Sequence, residues 1–309
     1  MPELPDIELY LHVLRPRLLG QSIQGVRLAS PFLVRTTTPD IQTLVGRPVV
    51  GLRRMGKRVV FDTDGPHLVI HLMIAGRFQW KAAQAPIPRR LGLLAIDVPG
   101  GTLLLTEAGT TRRAAAHVVA DAAALEAMDP GGLEIFSATP DQFRKTLARE
   151  RHTLKRTLTD PTIFSGIGNA YSDEILHRAR LSPMRMSDAL TPGQTDALYG
   201  AIRAVLQEWR DALIAEAGDA FPTKVTAFRA GMAAHGRYGQ PCPACGTPIQ
   251  RLRYAANEAN YCPTCQTEGR LLADRGLSRL LKSDWPRSLE DLERRMAAHR
   301  APDHAPEAD

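Results

Sequence analysis

No run of residues is apolar for long enough to cross a bilayer; the best candidate, residues 67–75, is short and contains His71. The first residues lack the Lys or Arg that open a signal peptide and carry Glu3, Asp6 and Glu8 instead, so the expectation is a cytoplasmic protein. Cysteine is scarce: the four copies all fall within residues 242–265, which leaves none for disulfides elsewhere. Internal repeats and low-complexity tracts are also missing. What remains is an ordinary globular composition, 44% hydrophobic and 23% charged over 309 residues, enough for two modest domains. A formal charge of +6 favours a polyanionic partner, because neutralising phosphates releases counterions. Charge alone decides little, since many basic proteins bind no nucleic acid.

The two halves of the chain carry different periodicities. After a helical opening, residues 22–120 hold short apolar strands at 59–61, 67–74, 93–98 and 102–105, separated by the turn signals Asp64-Gly65-Pro66 and Pro99-Gly100-Gly101. This pattern predicts an antiparallel sheet domain folded as a two-sheet sandwich. Asp129-Pro130-Gly131-Gly132 reads as a linker, after which the pattern becomes helical. Helices are expected at 142–149, starting from Thr139-Pro140-Asp141-Gln142, at 154–158, and from 193 to about 216. Residues 269–299 are expected to be helical, with an amphipathic stretch at 271–281, and 304–309 to form a frayed tail.

Cys242-Pro243-Ala244-Cys245 and Cys262-Pro263-Thr264-Cys265 are two matching knuckles with residues 246–261 between them. That spacing predicts one zinc ion per chain, held by Cys242, Cys245, Cys262 and Cys265. Four protein ligands close the coordination sphere, so the metal is structural. Between the knuckles, residues 248–254 alternate like a strand and carry Arg251 and Arg253. Either arginine could meet a phosphate backbone or simply face solvent.

Two further segments carry chemistry. Gly166-Ile167-Gly168 breaks a helical stretch, and the glycines let the backbone approach a ligand closely. With Asn169, the free N–H groups of the next helix start would suit a phosphate; on this segment alone an ordinary helix hairpin is the better account. At the amino terminus, Met1 precedes a small residue and should be trimmed, exposing a secondary amine at Pro2. Such an amine can attack an aldehydic sugar carbon, and Glu3 could act as a general acid beside it. Proline and acidic residues are also ordinary in a first helical turn.

Taken together, Pro2-Glu3-Leu4-Pro5, the run from Gly166 through Asn169 to Glu174, and His235-Gly236-Arg237-Tyr238-Gly239-Gln240-Pro241-Cys242 resemble the formamidopyrimidine-DNA glycosylase/endonuclease VIII family, in order and in separation. The resemblance covers roughly residues 1–268. It implies an α+β chain: an N-terminal antiparallel β-sandwich domain (1–128), a helix–two-turn–helix domain (129–238) and a four-cysteine zinc ribbon (239–268); the helical C-terminal extension and tail (269–309), expected from the residue pattern, run past the point where many relatives stop. The implied activity is that of a bifunctional DNA glycosylase and abasic-site lyase acting on damaged double-stranded DNA, monomeric, with Pro2 as the Schiff-base nucleophile and Glu3 as the acid. Lys57 matches a lysine that contacts phosphate and assists proton transfer, and Lys155 and Asn169 match a phosphate grip.

Three departures accompany the match. The family's loop that fills the gap left by an extruded base maps to residues 106–114, where Arg112 and Arg113 keep the arginine but Ala114 replaces the wedge phenylalanine. The inserted methionine beside it maps to Ile74, with Met73 adjacent, and a histidine expected near Leu91 has no equivalent. The finger arginine five residues before the third cysteine is Asn257, so Arg251 or Arg253 would have to substitute. Two other readings compete: a non-catalytic protein that binds lesions or abasic sites, which would need neither Pro2 nor Glu3, and, more remotely, an RNA-binding protein.

Overall fold

A computed structural model of the chain describes residues 1–109, 111–226, 228–254, 257–273 and 284–300. Helix α1 (Leu4–Leu18) opens with Pro5 in its first turn and with the Glu3 N–H donating to the Asp6 carboxylate at 2.9 Å. Ile7, Leu11, Leu14 and Leu18 recur at helical spacing and are fully buried. Eight strands follow: β1 (Gly25–Leu28), β2 (Val49–Met55), β3 (Arg58–Thr63), β4 (His67–His71), β5 (Gly76–Lys81), β6 (Gly92–Val98), β7 (Gly101–Glu107) and β8 (Ala115–Val119). They pair antiparallel into two sheets, ordered β1-β6-β7-β5 and β2-β3-β4-β8, which is the expected sandwich. Both expected turns join neighbouring strands, β3 to β4 and β6 to β7.

The strand expected over 67–74 is shorter. It ends at His71, because the Gly76 N–H donates to the Leu72 carbonyl at 2.9 Å and Met73 takes φ +52° to close that turn. Ile74 is left at its tip, 54% exposed.

The second half holds α2 (Ala122–Glu126), α3 (Pro140–Leu147), α4 (Leu154–Thr159), α5 (Asn169–Arg178) and α6 (Pro192–Ala217). Helix α3 starts where expected, on a reciprocal cap between Thr139 and Gln142, and Thr191 and Gln194 open α6 in the same way. Strands β9 (Gln250–Tyr254) and β10 (Asn257–Tyr261) and helix α7 (Pro263–Thr267) form the ribbon. Among its described residues the extension is helical at α8 (Leu289–Arg300). Gly269, at φ +81°, ends α7, and the next residues run back along the molecule: Leu271 N–H donates to the Arg287 carbonyl at 3.1 Å and Leu272 N–H to the Tyr261 hydroxyl at 2.8 Å. Leu272 packs on Leu252, Ala259 and Tyr261. The start of the expected helix at 271–281 is therefore extended chain packed on the ribbon; residues 274–283 lie outside the described ones. Among the described residues no helix is long and apolar enough to cross a membrane.

Two large cores result. One fills the sandwich and takes α1 from Ile7 to Leu18, together with Leu213 of α6 and Val225. The other lies among α3 to α6 and takes Leu4 from the start of α1. Helices α1 and α6 thus contribute to both cores, and α1 delivers its own first residues to the junction between them.

Candidate active site and metal centre

The start of α1 meets the start of α5. The Leu4 N–H donates to the Gly166 carbonyl at 2.9 Å, and the buried Glu3 carboxylate accepts from the N–H groups of Gly168 (2.6 Å), Ala170 (2.9 Å) and Tyr171 (3.3 Å). The helix start expected to hold a phosphate is therefore occupied by the chain's own carboxylate, which satisfies N–H groups that have no partner inside the helix. Both glycines are required by this approach. A Cβ at Gly168 would lie 2.5 Å from the Glu3 carboxyl carbon, and Gly166, at φ +79°, would place one 2.9 Å from the Leu4 Cβ.

Charged groups lock the junction from both sides. Asp6, fully buried, takes the Arg229 guanidinium at 2.6 Å in addition to the Glu3 N–H. Arg54 of β2 donates to Glu8 (3.2 Å), to the Ser165 hydroxyl (3.1 Å) and to Glu134, and Ser165 also donates to Glu134. One arginine of the sandwich thus ties α1, the linker and the glycine turn together. Sequence reading did not single out Arg54, because its partners are far along the chain.

Lys57 sits at the β2–β3 turn beside Gly56, whose φ is +62°. With Met1, Lys155, Gly168 and Asn169 it lines a cleft of about 800 Å³. Burial holds the Glu3 carboxyl above the usual carboxylate range, against the opposing pull of Lys57 and of the N–H donors. Burial also lowers Lys57, although Glu3 pulls the other way, and lowers the Met1 amine. His71, which no site expectation included, is pushed down to about 4 by burial and by the neighbouring Arg58 and Lys57.

The remaining expected contacts fall unevenly. Asn169 opens α5 at the cleft. Lys155 lines the cleft too, but its ammonium is turned inward, donating to the Asp173 carboxylate at 2.5 Å and to the Asn169 carbonyl at 2.7 Å. Asp173 also holds the His235 ring at 2.8 Å, while Glu174 accepts from the N–H groups of Ala233, Ala234 and His235, so these two acids fasten the lead-in to the ribbon. Exposed Arg156 stands on the same cleft wall, unmarked by any sequence motif. Arg112 is exposed and donates to the Arg90 carbonyl at 2.7 Å. Arg251 lies over the Tyr238 ring, 4.2 Å from its centre, and Arg253 is exposed. Asn257 begins β10, paired with Tyr254. Ala114 is 4% exposed and belongs to the sandwich core, its N–H held by the buried Glu107 carboxylate at 3.0 Å.

The four cysteine sulfurs lie within 4.8 Å of one another, with Sγ–Sγ separations of 3.4 Å (Cys245–Cys262), 3.5 Å (Cys245–Cys265) and 3.9 Å (Cys242–Cys265). A zinc–sulfur tetrahedron has edges of roughly 3.8 Å, so the donor set fits the ion. The N–H groups of Ala244 and Cys265 each approach a knuckle sulfur at 3.4 Å, and the buried His177 Nε2 lies 3.2 Å from the Cys242 Sγ. Four thiolates complete the sphere, and the centre is a structural zinc site.

Comparisons with known proteins agree along the chain. The family models for the formamidopyrimidine-DNA glycosylase N-terminal domain, its H2TH domain and the zinc finger found in FPG and IleRS match residues 1–120, 131–215 and 239–267. The formamidopyrimidine-DNA glycosylase of Thermus thermophilus is 34% identical over 277 residues, covering 87% of this chain and 100% of the relative. That of Pelotomaculum thermopropionicum is 30% identical over 275 residues, covering 86% and 99%. The fold is shared with the Lactococcus lactis Fpg solved with abasic-site DNA, at 23% identity and a TM-score of 0.75 over 86% of this chain and 99% of that one. A MutM complex with DNA containing carbocyclic 8-oxo-G gives 25% identity and a TM-score of 0.75 over 86% and 100%.

Proposed function

The chain belongs to the formamidopyrimidine-DNA glycosylase family, and from that premise we propose that it is a bifunctional DNA glycosylase and abasic-site lyase acting on damaged duplex DNA. The observation that carries this reading is Glu3: a buried carboxyl of raised pKa, one residue from Pro2 and bonded to the N–H of Gly168, which lines the cleft with Lys57 and Asn169. A purely structural acid at a helix start gains nothing from that company.

With Met1 removed, Pro2 bears a secondary amine. Pro2 is buried at the junction, one residue from Glu3, so its amine would lie beside that carboxyl. C1′ is shielded inside a stacked duplex, so the damaged nucleotide must first be extruded. The Pro2 nitrogen then forms a bond to C1′, and the base departs with the electrons of its glycosidic bond and takes up a proton. Glu3, whose acid form burial favours, donates to the ring oxygen as the sugar opens, which leaves an iminium. Loss of a C2′ proton expels the 3′ phosphate and cuts the strand; water then frees the sugar and restores the amine. Lys57, lowered by burial, can carry protons between these steps. Asn169, the remaining donor of Lys155, Arg112, Arg251, Arg253 and Asn257 are assigned to the DNA backbone, with a single protomer as the working unit.

Borohydride reduction on a duplex holding an abasic site tests the reading. Native protein should yield a covalent adduct, mapped by mass spectrometry to an N-terminal Pro2, and a form retaining Met1 should yield none. Failure of the native protein to form the adduct would leave a lesion-binding protein without catalysis.

A further inference from the structure

Phe32 is 81% exposed, more than any other large apolar side chain among the described residues. It sits in a single tight turn, Pro31–Leu33, anchored by Leu33 in the sandwich core. Beyond the turn the chain runs parallel to β8: Val34 bridges Ala116, the Arg35 N–H donates to the Ala116 carbonyl at 2.8 Å, and the Val118 N–H donates to the Thr36 hydroxyl at 2.8 Å. Phe32 lies in the turn just ahead of the Val34–Ala116 bridge, and Ala114 lies just ahead of β8.

Register fixes which end of the sandwich this is. Arg58 pairs with His71 and His71 with Ala115, so the β2–β3 turn carrying Lys57, the β4–β5 turn carrying Ile74 and the segment leading into β8 all lie at one end. Because residues 34–36 run parallel to β8, Phe32 precedes them toward that same end, where Arg112 and Arg113 are exposed ahead of β8 and Arg35 is exposed three residues after the ring. An exposed ring bordered by arginines suits a duplex, where phosphates meet the cations and a base face meets the ring.

We propose that Phe32 enters the base stack and fills the space vacated by the extruded nucleotide, a task for which Ala114 is both too small and enclosed in the core. The aromatic group is supplied by the segment neighbouring β8 instead of by the loop that precedes it. This inference rests on the glycosylase reading above.

The test uses the full-length, zinc-loaded protein and a duplex with 2-aminopurine opposite a tetrahydrofuran abasic analogue. Native protein should change the 2-aminopurine fluorescence on binding; Phe32→Ala should bind without that change, and Phe32→Trp should restore it. In single-turnover assays Phe32→Ala should slow release of a damaged base about tenfold more than it slows borohydride trapping at a preformed abasic site, which has no base to unstack. An unchanged fluorescence response with Phe32→Ala, or its loss only with Ile74→Ala, overturns the assignment while the glycosylase reading stands. Native protein that neither binds nor traps on either duplex removes both.

Discussion

In the proposed mechanism, position 3 concentrates the acid chemistry in one side chain. A carboxyl whose pKa is raised by burial stays protonated to higher pH than a free glutamic acid, and its acid form is lost as pH climbs through that raised value. Single-turnover release of a damaged base should therefore fall along a basic limb set by Glu3. Glu3→Gln should be slower by about 10²- to 10⁴-fold and should lack that limb, as rate–pH profiles of the two proteins will reveal. Lys57 carries the opposite shift, so a fraction of it is neutral at lower pH than for a free lysine. Lys57→Arg keeps the charge and abolishes the neutral form. It should retain binding to an abasic-site duplex in a titration while slowing strand cleavage; equal losses in both would assign Lys57 to phosphate contact alone.

Elements differ in how plainly the sequence announces them. The zinc knuckles are legible because ligand spacing is a local property: two C-x2-C pairs bring four sulfurs together with little help from the rest of the chain. The sandwich is legible through alternation and turn residues, yet residues 72–74 read as strand, because Leu72 is buried in the core and Ile74 stands at an exposed turn tip, and neither belongs to a ladder. The glycine break was visible but its occupant was not, since the anion that fills the α5 start lies 165 residues away. Lys155 likewise reads in the sequence as half of a phosphate grip, because nothing local shows that Asp173 faces it. Two outcomes test these elements. Gly168→Ala places a methyl against the Glu3 carboxyl and should destabilise the protein by about 1–3 kcal/mol in denaturant titrations while abolishing adduct formation. Stripping the metal with a chelator should release one zinc per chain, measured by elemental analysis, and weaken DNA binding while the far-ultraviolet signal of the sandwich persists.

For the molecule as a whole, a net charge of +6 and a cleft edged by arginines imply an affinity for duplex DNA that falls steeply with salt. Replacing exposed Arg156 by Ala should reduce the slope of log K against log salt by about 1 if it meets one phosphate. Sequence families divide the chain into three consecutive matches, but α1 and α6 each have a foot in both large cores. A fragment ending near residue 128 would keep α1 yet lose Leu213 and Val225, leaving the sandwich with an oily breach; the complementary fragment would lack Leu4. Evolutionary modules here are not melting units: calorimetry should record the sandwich and the helical half unfolding in one transition, and neither half should survive recombinant expression without the other.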